Sequence, residues 1–294
     1  MAVVDLHRAA DEKSRDNAAL SGLDALESAD DRGSRAFRLW ASLWPKVAAL
    51  VLALAIWQLI VWSGWKPSYT LPGPDTVLPR LGEELSKGVT WRAIGVTMRR
   101  AAVGFSVAIV AGSLIGIAVS RVRVLRTAVG SMITGLQTMP SISWFPLALI
   151  LFKQSESAIL FVVLIGAAPS IANGLIAGID QIPPILLRAG RVLGATGVHR
   201  YRHVVIPAAL PSFVAGLKQG WAFTWRSLMA GELLVIIANK PSIGSRLKFE
   251  QEFADSPGLI SWMLIILIIG VLVDAVFFGS IERVIRERRG LGEF

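Results

Sequence analysis

The chain has 294 residues, 53% of them apolar and 17% charged, with a mean hydropathy of +0.58. Its apolar residues are gathered in runs of about 20, the length that crosses a ~30 Å hydrocarbon layer, a pattern that excludes an ordinary soluble domain. The net charge of +9 does not indicate nucleic acid, because the basic residues form short clusters between apolar runs and no continuous basic face; the absence of cysteine excludes disulfides, thiolate metal sites and a catalytic thiol.

Residues 1–39 are polar, rich in Asp, Arg, Ala and Ser, and lack an apolar core before a cleavage site. They read as a mobile cytoplasmic tail and not as a signal peptide, with residues 40–294 forming one transmembrane domain. The first span is expected over 43–62, with Trp40, Trp44, Trp57, Trp62 and Trp65 as interfacial anchors. Residues 66–100 contain Pro67, Pro72, Gly73, Pro74 and Pro79, which predicts an extended loop leading into an amphipathic helix, all outside the membrane core. The second span, 101–120, is free of charge and carries Gly104, Gly112 and Gly116, the last two making a small face for close helix packing.

A third span over 127–152 is interrupted at Pro140 and Pro146, which predicts a kink or partial break. Such a break either lines a pathway, with Pro140, Ser141 and Trp144 as its candidates, or is a simple packing kink. The fourth span, 157–179, contains Pro169 and Asn173; the fifth, 211–237, contains Lys218, Arg226 and Glu232; the sixth, 259–280, has Asp274 as its only charge. The expected fold is therefore all-α and polytopic, with about six spans. With both termini cytoplasmic, the basic clusters around Arg121, Arg123 and Arg126, around Arg188, Arg191, Arg200 and Arg202, and around Arg283, Arg286, Arg288 and Arg289 all fall inside, as the loop-charge rule requires. Arg99 and Arg100, at the outer start of the second span, run against it.

The most informative stretch is 185–211, ILLRAGRVLGATGVHRYRHVVIPAALP. Ile185, Ala189, Val192 and Thr196 recur at helical spacing opposite Arg188 and Arg191, and Gly194 and Gly197 end the helix. A basic and aromatic segment with Tyr201 follows, and at Ile206, Pro207 and Pro211 the chain is expected to turn back into the membrane. From the residues alone this is a docking element for something cytoplasmic, or an interfacial helix lying on anionic lipid.

The segment resembles the cytoplasmic signature loop of binding-protein-dependent ABC importer permeases: Glu-Ala-Ala, three residues, Gly, and about a dozen residues later a hydrophobic residue before Pro. Ala189 and Gly194 match the first Ala and the Gly, and Ile206 with Pro207 matches the closing pair; Arg188 stands in place of Glu and Gly190 in place of the second Ala. The similarity extends over residues 45–290, through MPSISWFPLALILF, LMAGELL, IGSRL and the ERVIRERRG tail. It is strongest to the subfamily serving sulfonates, taurine, nitrate and bicarbonate, although LFKQSES departs from that subfamily's usual Trp-Phe-Gly turn. The resemblance implies a type I importer permease in the plasma membrane, working as a homodimer with an extracytoplasmic binding protein and two cytoplasmic ATPases. Those ATPases would bind ATP and Mg, and each would receive a loop at about 183–207 through Arg188, Ala189, Gly190, Gly194, Tyr201, Ile206 and Pro207. Aliphatic sulfonate is the first expectation for the substrate, with nitrate, taurine and bicarbonate as alternatives.

No GxxxxGK[ST] phosphate loop occurs in the chain, so no ATPase activity and no cofactor are expected in it. Arg226, near the middle of the fifth span, suits a bidentate contact to an anion, or else is neutralised by a nearby carboxylate and fixes helix packing. Glu232, which matches a family position, reads as structural or gating, Lys218 as a snorkelling cation, and Asp274 as a partner for a neighbouring helix. His199 and His203 are spaced i, i+4 without a third ligand nearby, so no metal site is expected. The rival classes are an ATP-independent carrier or channel, which needs no docking loop, and a membrane enzyme, which needs a convergent acid, base or nucleophile.

Overall fold

The computed structural model describes residues 35–288, all of whose regular structure is helical. Residues 1–34 of the expected tail lie outside the described residues. Helix α1 (Arg35–Trp62) begins within the expected tail and contains the first apolar span, Leu43–Trp62. It belongs to a separate unit ending at Pro67, and Trp40 and Trp62 stand exposed near its two ends.

The second unit begins at Ser68. Helix α2 (Pro74–Ser86) starts on a proline whose missing N–H costs nothing at a helix start. A single extended residue, Lys87, separates it from α3 (Gly88–Arg121), which runs for 34 residues. The second span is thus the C-terminal part of a longer helix, and the extended loop expected before an amphipathic helix over 66–100 is confined to the residues before Pro74. Pro74 occupies the helix start, and α2 accommodates Pro79 in its second turn.

Helix α4 (Arg123–Thr138) is followed by a 3₁₀ turn (Ser141–Trp144) and α5 (Phe145–Phe152), bent by 103° across the break. Helix α6 (Glu156–Asp180) is the fourth span. After α7 (Pro184–Val192), a short α8 (Gly197–Arg200) passes through a π-helical turn (Tyr201–Val205) directly into α9 (Ile206–Leu234). The reversal therefore falls at Gly194–Gly197 and not at Pro207. The wider π turn lets Pro207 sit at the start of α9 without forcing a break. Helix α10 (Ile243–Glu252), α11 (Ser256–Leu272), a second π turn (Val273–Phe278) and α12 (Gly279–Arg288) complete the chain.

Among the described residues four helices are long and apolar enough to cross a bilayer, and a fifth if the bent pair counts as one span. The expected fifth span, α9, has the length but is not among them; it carries Lys218, Arg226 and Glu232. Helix α6 is the centre of the unit, packed between α3 and α9 on stripes of small residues. A Cβ on Gly112 would come 2.6 Å from the Ala168 carbonyl oxygen, and one on Gly174 would come 2.5 Å from Gly216 Cα. Backbones this close gain dispersion contact that larger side chains would prevent.

Candidate coupling loop and translocation pathway

Helix α7 ends in a double hydrogen bond: Gly194 N–H donates to Arg191 O at 3.0 Å and Ala195 N–H to Gly190 O at 2.8 Å. This Schellman closure needs a left-handed residue at Gly194, whose φ is +78°, a conformation open to glycine and strained for other L-residues. The closure leaves Val192, Leu193 and Val198 more than four-fifths exposed (87%, 84% and 83%). Apolar side chains presented together in this way make a candidate docking surface.

Arg188 and Ala189 are also exposed on α7, whereas Gly190 is buried. A Cβ at Gly190 would lie 2.9 Å from Val204 Cγ2, so the valine occupies the space of the second Ala in the family pattern. Ile206 is exposed, and Pro207 stands in the first turn of α9. The Tyr201 ring lies 4.8 Å from the Arg121 guanidinium, which ties the loop to the end of α3 by a cation–π contact. His199 and His203 pack ring against ring, 4.1 Å apart.

At the break after α4, Met139 is extended (φ −78°, ψ 127°), as the residue before a proline must be. Pro140 is exposed, Trp144 half-buried, and the Ser227 hydroxyl donates to the Ser141 hydroxyl at 2.8 Å, joining the break to α9. Arg226, next to Ser227, is exposed. Its guanidinium donates to its own helix at Ala222 O and lies over the Phe223 ring, and among the described residues it makes no ion pair. Lys218 pairs with Asp274 at 3.6 Å and Glu282 at 3.3 Å, tying α9 to the last segment of the chain.

Glu232 is fully buried. Its carboxylate accepts from Arg100 Nη1 at 2.9 Å, Thr97 Oγ1 at 2.9 Å and Gly244 N–H at 3.1 Å, while Thr97 Oγ1 accepts from Ile243 N–H at 3.0 Å. The two backbone donors open α10, so the helix's positive end also faces the carboxylate. Arg100, itself 3% exposed, lies 3.5 Å from Glu156, which in turn accepts from Lys240 at 2.8 Å. Arg100 is therefore not a free loop charge, which accounts for its conflict with the loop-charge rule; Arg99, 3.8 Å from the same Glu156, stays 64% exposed.

Residues 108–289 match the family of binding-protein-dependent transport system inner membrane components. The chain belongs to this family. The permease is 30% identical to the nitrate import permease protein NrtB of Synechocystis sp. over 243 residues, covering 78% of its own length and 84% of the relative's. It is 31% identical to the bicarbonate transport system permease protein CmpB of Synechococcus elongatus over 203 residues, 64% and 71% of the two chains. The fold is shared with the MetNI methionine ABC transporter in an inward-facing conformation (TM-score 0.57, 19% identity, 67% of the permease and 96% of that chain). It is also shared with an amino acid ABC transporter (TM-score 0.53, 17% identity, 65% and 91%). The permease is accordingly an all-helical, membrane-embedded protein of the type I importer fold.

Thr97 and Arg100 were not singled out as site residues by sequence reasoning. The signals in the sequence are the conflict of Arg100 with the loop-charge rule and the placing of Glu232 within an apolar span. A second cluster, outside the spans, joins α2, α10 and the cap of α11. In it Lys87 meets Glu84 at 2.6 Å, Arg80 meets Asp255 at 2.9 Å, and Arg246 stands 4.0 Å from both Glu84 and Glu250. Burial, and then the charges of Asp255 and Glu84, push the Glu250 carboxyl above its ordinary value of 4.5. Burial acts the same way on Asp255, but the Gly258 N–H and the Arg80 guanidinium outweigh it and hold that carboxyl down.

The two shifts have opposite consequences for stability. Glu250 contributes stability below its unfolded-state value and loses it as pH rises through its raised folded value. Asp255 contributes above its unfolded-state value and loses it as pH falls through its folded one. Glu250→Gln, which cannot ionise, is therefore expected to unfold at higher temperature than wild type at pH 8, with the difference vanishing near pH 4; thermal unfolding in detergent at the two pH values measures this. An equal shift at both would show that Glu250 does not titrate in this window.

Proposed function

We propose that the permease is the membrane-spanning subunit of an ATP-driven importer of a small oxyanion. It works as two copies with two cytoplasmic ATPases that hold ATP and Mg, and with an extracytoplasmic binding protein that delivers the substrate; both termini are cytoplasmic. The observation that carries this reading is the α7 loop, closed by Gly194 and presenting Val192, Leu193 and Val198 to solvent. An ATP-independent carrier has no use for such a surface. ATPase closure around ATP would move α7, and the unbroken path from α8 through the π turn into α9 would carry that movement into the membrane.

Within the membrane, Pro140, Ser141, Trp144 and Arg226 form the candidate pathway wall. Glu232 serves it indirectly, by holding α10 against α9. The nitrate and bicarbonate permeases among the relatives and the exposed Arg226 guanidinium, which has no carboxylate partner among the described residues, favour an anion. Uptake assays therefore begin with nitrate and bicarbonate, with aliphatic sulfonate and taurine in the same panel.

Co-purification with the cognate ATPase tests the docking surface. Val198→Asp and Gly194→Asp are each expected to reduce the retained ATPase at least about tenfold, because a charge in an apolar contact or a strained cap each removes more than ~1.4 kcal/mol. The permease itself should elute unchanged. Full retention of the ATPase by both variants would show that it docks elsewhere; failure of the wild type to retain any ATPase would favour the carrier reading.

A further inference from the structure

Helix α4 carries an exposed polar face, on which the Thr134 and Thr138 hydroxyls donate to their own helix at Gly130 O and Gly135 O. Thr127, Ser131, Thr134 and Thr138 are spaced by four, three and four residues and all are exposed. At 100° per residue they fall within an arc of about 60° and extend over about 16 Å, half the hydrocarbon thickness. On one flank of this arc, buried Ile133 packs with Val129 against the rest of the unit. On the other, Val124 and Met132 are exposed and apolar, at 76% and 64%. The hydroxyls are thus confined to one strip between a packed flank and an apolar one.

The facing side of α6 continues the same chemistry. Gly166, Ser170, Asn173 and Asp180 lie on one face, spaced by four, three and seven. A Cβ at Gly166 would come 2.8 Å from the Ser227 hydroxyl, at the break. One turn on, Gln137 Nε2 donates to the Ser170 hydroxyl at 3.0 Å. Asn173 follows, exposed inside a membrane-spanning helix; it shares a cavity of about 410 Å³ with Arg126, Thr127, Gly130 and Ser131. At the end of the seam Arg126, which lines the cavity, is paired with Asp180, so its charge is already answered. Polar groups thus recur between the Pro140 break and the basic loop end of the spans, with Val119, Ile133 and Ile176 among them in the cavity wall. Polar groups in a membrane helix face a partner or a water-filled cavity, and Asn173 makes no hydrogen bond to any described residue.

We propose that the hydroxyl face of α4 and Asn173 of α6 form the wall along which the transported oxyanion moves, held by neutral hydroxyl and amide donors and not by a cation. Neutral donors suit a transit site because they bind an anion strongly enough to replace part of its hydration yet weakly enough to release it. This inference rests on the importer reading and adds the residues that meet the anion between the break and the exit.

The native chain has no cysteine, so single-cysteine variants report one position each. Thr127→Cys, Ser131→Cys, Thr134→Cys and Asn173→Cys, with Val124→Cys and Met132→Cys as controls, are placed in the full transporter reconstituted with its ATPase and binding protein. They are then treated with a negatively charged, membrane-impermeant methanethiosulfonate. Water-lined positions are expected to react at least about tenfold faster than the two apolar controls, and nitrate or bicarbonate should slow that reaction. Equal rates at wall and control positions would overturn the proposal. So would oxidant-induced disulfides between two copies at Ser131→Cys or Thr134→Cys in place of labelling, which would assign the face to a subunit contact. A conservative pair, Thr134→Val and Asn173→Leu, should raise the KM for uptake while the ATPase still co-purifies; unchanged KM in both would also overturn it. ATP-dependent uptake by the wild type tests the importer reading separately, so failure of one is not confused with failure of the other.

Discussion

Glu232→Ala is expected to lower the stability of the permease by about 3–5 kcal/mol, the cost of leaving a buried partner charge uncompensated. The loss falls on several groups at once. Arg100 would keep its charge at 3% exposure with only Glu156, 3.5 Å away, to answer it. The Gly244 N–H and the Thr97 hydroxyl would lose their acceptor, and an orphaned buried donor costs about 1–3 kcal/mol by itself. Since membrane and soluble domains alike are stable by only about 5–15 kcal/mol, most of the variant should be lost from the detergent-soluble, monodisperse fraction. Size-exclusion chromatography after a heating series measures this. Glu232→Gln keeps an acceptor for Thr97 and Gly244 and should fall between wild type and alanine. A double change, Arg100→Leu with Glu232→Leu, should recover part of the loss, because removing both charges removes the desolvation penalty as well. A wild-type midpoint for Glu232→Ala would mean that the node does not hold α3, α9 and α10 together.

The second large effect is expected at the crossing of α6 and α9. Gly174→Ala would place a methyl 2.5 Å from Gly216 Cα and 3.0 Å from the Ser212 carbonyl oxygen, where carbon atoms normally rest at about 3.5–4.0 Å. Both obstacles are backbone, so no rotamer change relieves them and the helices must separate along their length. A cost of about 1–3 kcal/mol or more is expected. Gly104→Ala meets instead the Cγ1 of Val163 at 2.8 Å, a side chain that can rotate, and should cost less. Gly95→Ala has nothing within 4 Å and should stabilise by up to about 1 kcal/mol through helix propensity. The rank order of thermal midpoints, Gly95→Ala above wild type, then Gly104→Ala, then Gly174→Ala, is the measurable outcome; reversal of the last two would place the close approach elsewhere.

The parts of the molecule legible from its residues are those that depend on neighbours along the chain. A span announces itself because each helix in lipid satisfies its own backbone and needs only about 20 apolar side chains; the apolar runs at 43–62 and in the fourth span needed no tertiary information. The end of α7 was legible for the same local reason, since the left-handed residue of a helix cap is most often glycine, and Gly194 has φ +78°. The start of α2 is not legible, because the prolines at 67–79 point to an extended loop, whereas α2 begins on Pro74.

What the tertiary structure alone decided is which distant groups meet. By sequence Arg100 is an exception to the loop-charge rule and Glu232 a structural or gating residue; the fold brings the two, 132 positions apart, to 2.9 Å. Gly174 and Gly216 are ordinary members of apolar helices until their backbones cross. The 103° turn at Pro140 and the hydroxyl face of α4 are of the same kind. A proline sets where a helix breaks but not the direction the chain takes afterwards, and a row of hydroxyls stands exposed only where neighbouring helices pack on its flank and not on the row itself. Apolar length and cap chemistry are properties of a segment, whereas the pairing of buried charges and the close approach of glycines belong to the packing of several segments at once.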